Sequence, residues 1–399
     1  MSTPATTLAV PTDSATPLWR NLAPLCVMVF AEFLAMGLPL PILPVRVHET
    51  LGFGSFVVGL VIGAQSWATL LTRHGAGTRS DQRGPRSTAI LGLSLSVFAG
   101  LTYALSAAVP NPSASLAVLL GLGESLVITG ALSWGVALAG RERSGVVMAW
   151  VGIAMYGALA VGAPLGSALD ARAGFVAMAL AAALAPLLGL AAVPFIRPVK
   201  PVAGARLPFV EVVRLIWLPG AGLSLAALGF GAIAAFSTRY FSERAWSHSA
   251  LAMTAFGAAY VLARLFLGSL PDRFGGARVA AASAAVAAVG QLGMWLAPSS
   301  AVAVAAAALT GLGFSLAFPS FGVEAIKRLP PQNRGVALGA YTAFFDATMG
   351  LGVPALGMVV GAFGYGAAFA HEARVRHEEI LNCDTSVVAS SAPGSPASL

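Results

Sequence analysis

The run RHGAGTRSDQRGPR, from Arg73 to Arg86, returns in outline as RLFLGSLPDRFGG, from Arg264 to Gly276. Arg73, Gly77, Asp81 and Gly84 in the first copy correspond to Arg264, Gly268, Asp272 and Gly275 in the second, each pair 191 residues apart. Both copies lie between long apolar segments. Four matched positions at one offset in that setting mark a duplicated membrane bundle.

The repeated stretch also carries chemistry. A Gly-xxx-Asp-xx-Gly loop puts glycines where helices approach closely and a carboxylate at the membrane surface, where it can cap a neighbouring helix N-terminus. The stretch resembles the loop between spans 2 and 3 that marks the major facilitator superfamily, and the second copy resembles its counterpart between spans 8 and 9. Gln82 and Pro85 stand where that family usually has basic residues, while Arg83 and Arg86 keep the loop positive. The resemblance implies an all-α membrane protein of two parallel-repeat six-helix halves. It also implies a cytoplasmic gate formed by Arg73, Gly77, Asp81, Gly84 and Arg86 together with Arg264, Gly268, Asp272, Arg273 and Gly275.

Composition agrees with a membrane bundle. Of the 399 residues, 57% are hydrophobic and 10% charged, and the mean hydropathy of +0.81 lies far outside the soluble range. The basic residues are scattered singly between apolar runs with no aromatic-interleaved patch, so nucleic acid is not an expected partner. Cys26 lies in a predicted span and Cys383 in the tail, and His48, His74, His248, His371 and His377 fall in loops, span ends or the tail. No metal site or cofactor is expected from them. The segment up to Pro17 has no basic n-region and reads as a disordered cytoplasmic tail rather than a signal peptide.

About 20 apolar residues per crossing gives spans near 19–44, 54–72, 87–109, 113–139, 145–169 and 174–195, then 215–237, 248–267, 278–297, 301–326 and 335–360. The predicted units are a tail over 1–18, a six-helix half over 19–195, a linker over 196–214 rich in proline and basic residues, a second half over 215–370 and a polar tail over 371–399. Sixteen arginines and lysines fall in loops assigned to the cytoplasm, against Arg46, Arg172, Arg239 and Arg244 opposite. That bias places the N-terminus inside. Gly121, Gly123 and Ser125 are echoed by Gly311, Gly313 and Ser315, and Gly162 and Pro164 by Gly352 and Pro354, all at an offset of 190. The twelfth span is the anomaly: GAFGYGAAFA gives way at His371 to a charged tail that cannot cross a bilayer. The segment is either a short re-entrant end or an altered terminus, and a truncated twelfth helix is the preferred reading.

Three carboxylates lie well inside spans: Glu32, Glu124 and Asp346. At 1.5 Å per residue each is roughly 16 to 18 Å from its span's end, close to the midplane. Arg73 and Arg264 lie near span ends, so the three acids are expected to be unpaired and to serve proton coupling. Span 5, with Gly157, Gly162, Pro164 and Gly166, resembles the glycine- and proline-rich motif of exporters and antiporters in the superfamily, although Ala163 and Ser167 depart from its pattern. Its small residues are expected to let the two halves cross closely. Span 4 has Ala117 where many antiporters carry arginine, and spans 1 and 7 lack the basic residues with which organic-phosphate exchangers grip anions, which disfavours a strongly anionic cargo.

Gln65, Thr129, Ser133, Trp134, Tyr156, Gln291, Tyr341 and Phe345 are the candidate cavity groups, a mixture suited to a neutral or weakly cationic small molecule. GLGES, YGALAVGAPLG and the run from Phe318 to Tyr341 resemble bacterial permeases of the arabinose-efflux-like kind. Together these readings predict a monomeric bacterial inner-membrane transporter that exports a small sugar-like or drug-like molecule in exchange for protons. A proton symporter and a transport-inactive receptor or scaffold are the alternatives. No nucleophile–base pair, metal cluster or phosphate loop points to an enzyme.

Overall fold

The computed structural model describes residues 18–39, 42, 55–105, 113–202, 204, 206–246 and 250–369. Among them all regular structure is helical. In lipid each backbone N–H and C=O must be satisfied within the segment, so long apolar runs become helices. The first half holds α1 (Leu18–Gly37), α2 (Ser55–Arg83), α3 (Pro85–Leu105), α4 (Ser113–Ala139) and α5 (Ser144–Ala192). The second holds α6 (Phe209–Glu243), α7 (Ala250–Leu267), α8 (Leu270–Phe274), α9 (Gly276–Trp295), α10 (Ser300–Lys327), α11 (Arg334–Ala347) and α12 (Val353–Phe363), the last two joined by a π-turn at Thr348–Gly352. Eight helical stretches among the described residues are long and apolar enough to cross a membrane, and one of them, 141–195, has the length of two crossings.

Glycine sets the breaks between crossings, and the breaks repeat with the sequence. Gly84 (φ 92°) separates α2 from α3, and Gly275 (φ 89°) separates α8 from α9. Gly174 (φ 80°, ψ 170°) divides α5 into predicted spans 5 and 6, and Gly364 (φ 80°, ψ 167°) stands 190 residues later, after α12. A side chain at such φ values would clash with its own backbone. The predicted tail over 1–18, apart from Leu18, and the predicted tail over 371–399 lie outside the described residues, whereas the stretch read as a truncated twelfth span is described as far as residue 369.

Within the first half α1 packs on α5, α4 on α2 and α3, and α3 on α5; in the second α10 packs on α9, α7 and α6. Leu25, Met28, Val127, Trp134, Val147 and Met148 build the first core, and Tyr240, Phe241, Phe256 and Phe314 the second. The halves meet where α2 packs on α11, α5 on α10 and α4 on α11. Leu71, Leu188, Phe266 and Met358 are exposed, an arrangement costly in water and at ease in hydrocarbon.

The span-5 glycines do other work than expected. A Cβ on Gly162 would come within 3.0 Å of Gly37 Cα, and one on Gly166 would run into the Leu38 carbonyl. These two therefore let α5 approach α1 inside one half rather than letting the halves cross. Gly157 has nothing within 4 Å of where its Cβ would stand, and Pro164 is carried within the helix without ending it.

Candidate functional site

At the end of the bundle that carries the duplicated loops, each half holds the other by the same device. Asp81 accepts hydrogen bonds from the backbone N–H groups of Gly335 (2.6 Å) and Val336 (2.9 Å) at the start of α11. Asp272 accepts from Gly145 (3.0 Å) and Val146 (2.9 Å) at the start of α5. Helix starts offer unpaired N–H groups and a partial positive charge, which a carboxylate satisfies. Gly77 makes the first contact possible, since its Cβ would lie 2.7 Å from Val336 Cα. Burial pushes the Asp81 carboxyl up to about 6, against the downward pull of the two N–H groups, Arg206 and Arg334. Asp272, half-buried, is raised by the same cause, with Val146, Gly145 and Lys327 opposing.

The linker lies over the first of these contacts. Arg206 donates to the Asp81 carbonyl at 2.8 Å, and Trp134 Nε1 donates to the Arg197 carbonyl at 2.8 Å. Arg141, just before α5, donates to the Ile326 and Leu329 carbonyls at the end of α10. Gly84 lies beside Pro201 of the linker. Arg86 and Arg273 make no ion pair among the described residues.

Deeper in, two of the three acids expected to be unpaired, Glu124 and Asp346, have a cation. Arg73 Nε and Nη2 donate to Asp346 Oδ2 (2.6 Å) and Oδ1 (3.2 Å), a two-pronged pair joining α2 of the first half to α11 of the second. The same Nη2 stands 3.8 Å from Glu124 Oε1 on α4. Gln65 and Thr69 donate to the other Glu124 oxygen, each at 3.4 Å. Arg73 has its Cα near a span end, but the arginine stem carries the guanidinium several ångströms further along the bundle, within reach of both acids. Glu32 sits apart, fully buried in the first half, where Ser96 Oγ donates to Oε1 at 2.6 Å and Oε2 has no partner among the described residues.

A narrow central cavity opens onto this cluster. Arg73, Glu124, Asp346 and Thr342 line one part of it, and Met155, Tyr156, Tyr260, Phe314, Phe318 and Phe345 supply an apolar and aromatic wall. Of the candidate cavity groups only Tyr156 and Phe345 face it, with Gln65 behind Glu124. Trp134 is held under the linker, and Ser133 lines a small pocket beneath it. Thr129 packs beside Gly339 at the contact of α4 with α11. Gln291 is buried in the second half, donating to the Gly229 carbonyl, and Tyr341 donates to the Phe318 carbonyl. Side-chain type alone marks these five as cavity groups, and spans apolar on all sides do not show which side chain faces inward. Phe314 and Phe318, missed from sequence, carry the one available signal: they sit four apart on one helix and so share a face.

A family model described as Major Facilitator Superfamily matches residues 25–250 and 220–373. An uncharacterized MFS-type transporter of Salmonella typhimurium is 43% identical over 348 residues, covering 86% of this chain and 90% of its own length. Among solved structures, the human organic anion transporter MFSD10 (TETRAN) superposes with a TM-score of 0.77 at 16% identity, over 92% of this chain and 100% of that one. A point variant of the E. coli fucose:proton symporter FucP superposes with a TM-score of 0.73 at 16% identity, over 91% and 98%. At such identities the two structures speak for the fold.

Proposed function

The chain belongs to the major facilitator superfamily, and from that membership we propose that it is a secondary active transporter exporting a small organic molecule in exchange for protons by alternating access. One observation carries the reading: Arg73 is ion-paired to Asp346 across the two halves while it reaches Glu124, all three on the wall of the central cavity. A proton on either acid removes one charge from the cluster and weakens the hold of Arg73 on the opposite half. Proton uptake and rearrangement of the halves then share the same atoms.

In this reading Asp81 and Asp272 keep the cytoplasmic ends together while cargo leaves outward and Glu124 and Asp346 take up protons. Glu32, with one oxygen free behind Ser96, is the second acid of the first half and passes its proton in the same cycle. The protein sits as a monomer in a bacterial inner membrane with its N-terminus in the cytoplasm, as the loop charges support.

The test uses inverted membrane vesicles containing the full chain, energised to an acidic interior and challenged with sugars, lipophilic cations and aromatic acids. One class of compound should release protons from the vesicles, and Glu124→Gln or Asp346→Asn should abolish the release. Proton movement of the opposite sign would assign symport. Transport of any of these compounds without proton movement would overturn the coupling.

A further inference from the structure

The duplicated arginines have opposite surroundings. Arg73 has Asp346 and Glu124, whereas Arg264, its counterpart, is 2% exposed with no carboxylate within ion-pairing distance among the described residues. The residue that corresponds to Asp346 at the repeat offset of 190 is Tyr156. Arg264 Nε donates to the Ser315 carbonyl (2.7 Å) and Oγ (3.3 Å), and Nη1 to the Met148 (2.9 Å) and Ala149 (3.4 Å) carbonyls of the other half. Its Nη2 is buried with no hydrogen-bond partner among the described residues. The guanidinium carbon lies 4.9 Å from the centre of the Tyr260 ring.

A cation without an anion inside a membrane bundle is expensive, and an unmade hydrogen bond adds to the cost. Carbonyl dipoles and a ring face reduce that cost without cancelling the charge. The separation between this group and the central cavity is thin. Gly152, Tyr156 and Tyr260 line the cavity, and a Cβ on Gly152 would run into Arg264 Nη1. The Tyr156 and Tyr260 rings lie 4.5 Å apart, and Phe314 stands 5.8 Å from Tyr260, giving an aromatic platform next to the charge.

We propose that Arg264 anchors the carboxylate of the transported molecule, whose aromatic or apolar body lies on Tyr156, Tyr260 and Phe314, so that the cargo is a small aromatic monocarboxylate. This rests on the transport reading above and names its substrate class. The bonds to Met148 and Ala149 bridge the halves, so parting the cytoplasmic ends frees Nη1 beside the bare Nη2. A two-pronged donor is thereby presented to the cytoplasmic side, where export cargo loads. The lack of basic residues in spans 1 and 7 does not bear on this group, which lies on span 8.

The test measures thermal unfolding of the full-length protein in detergent at constant ionic strength with benzoate, phenylacetate, their methyl esters and benzylamine. A ligand bound to the folded state raises the midpoint saturably. Both acids should do so, with the esters and the amine roughly tenfold to a hundredfold weaker, the range of one charge-assisted hydrogen bond. Arg264→Gln should erase the acid effect, and Gly152→Ala should weaken it while keeping the charge. Removing a buried guanidinium can itself unfold a chain, so the contrast of acid with ester on the unaltered protein decides without any variant. Equal stabilisation by acid and ester, stabilisation by the amine alone, or none by either acid overturns the proposal. Acid binding without proton release in the vesicle assay refutes the proton coupling and leaves the anchor standing; proton release by esters or amines alone does the reverse.

Discussion

Replacing Gly77 with alanine should open the face that carries the duplicated loops. The added Cβ would stand 2.7 Å from Val336 Cα, 2.8 Å from the Gly335 oxygen and 3.0 Å from the Gly335 carbon. All three are backbone atoms of the first turn of α11, which cannot step aside as a side chain can. Ordinary carbon contacts need roughly 3.5 to 4 Å, so α11 has to retreat by roughly 1 Å. That retreat stretches the Asp81 bonds to Gly335 and Val336, now 2.6 and 2.9 Å, toward the limit near 3.5 Å at which they cease to count. Overpacking of this kind costs about 1–3 kcal/mol. At about 1.4 kcal/mol per factor of ten, and because the cost falls only on the closed arrangement, the closed-to-open ratio should drop by roughly fivefold to a hundredfold. Double electron–electron resonance between labels at Arg83 and Arg328, in a chain with Cys26 and Cys383 replaced, reads the two populations in nanodiscs. Gly157→Ala, whose Cβ meets nothing within 4 Å, is the control. A Gly77→Ala distribution within twofold of the unaltered protein, or an equal shift in the control, would refute the reasoning.

Three further outcomes follow from the site. Asp346→Asn strips Arg73 of its two-pronged partner and leaves only the 3.8 Å approach to Glu124, so it should destabilise the fold by about 3–5 kcal/mol; Glu124→Gln should cost less, about 1–2 kcal/mol, and the reverse order of unfolding midpoints would contradict the pairing. Closing the face over Asp81 moves its carboxyl from the ordinary carboxylate range near 4 to about 6. The closed state therefore binds more protons between those values, and its population should rise as pH falls through 6 toward 4. In Asp81→Asn the part of that response due to Asp81 should vanish; an unchanged pH profile in the variant would assign it elsewhere. Trp134→Phe removes the donor to the Arg197 carbonyl, a loss of about 1 kcal/mol confined to the linker, so trypsin, which Pro198 and Pro201 bar from Arg197 and Lys200, should cut after Arg206 roughly fivefold faster with the unfolding midpoint little changed.

The fold was legible because its signal is one of spacing. Asp81 and Asp272 at one offset, flanked by Gly84 and Gly275, give away a duplicated unit without any knowledge of packing, and the apolar runs between them have one architecture open to them in lipid. The site was legible only in part. The acids stood out because a carboxylate in an apolar helix is conspicuous, but their pairing did not, since Arg73 and Asp346 are brought together by the register of α2 against α11 and by the reach of a long side chain. Facing was the harder question. Trp134 and Gln291 have the chemistry of ligand-binding groups and spend it on the Arg197 and Gly229 carbonyls. Met155 and Phe314 look like filler and line the cavity.

Each half offers a loop carboxylate and receives one at a helix start, so a single half carries both members of the contact on one surface. Such a surface is self-complementary: two identical copies could have joined through it about a twofold axis, with Asp81 and Asp272 then being the same residue seen twice. At the equivalent positions Asp346 and Tyr156 the halves differ: one is an acid that pairs with its arginine, the other a ring that gives its arginine no counter-charge. The pseudo-symmetry that holds the halves together at their loops is thus broken at the cavity wall.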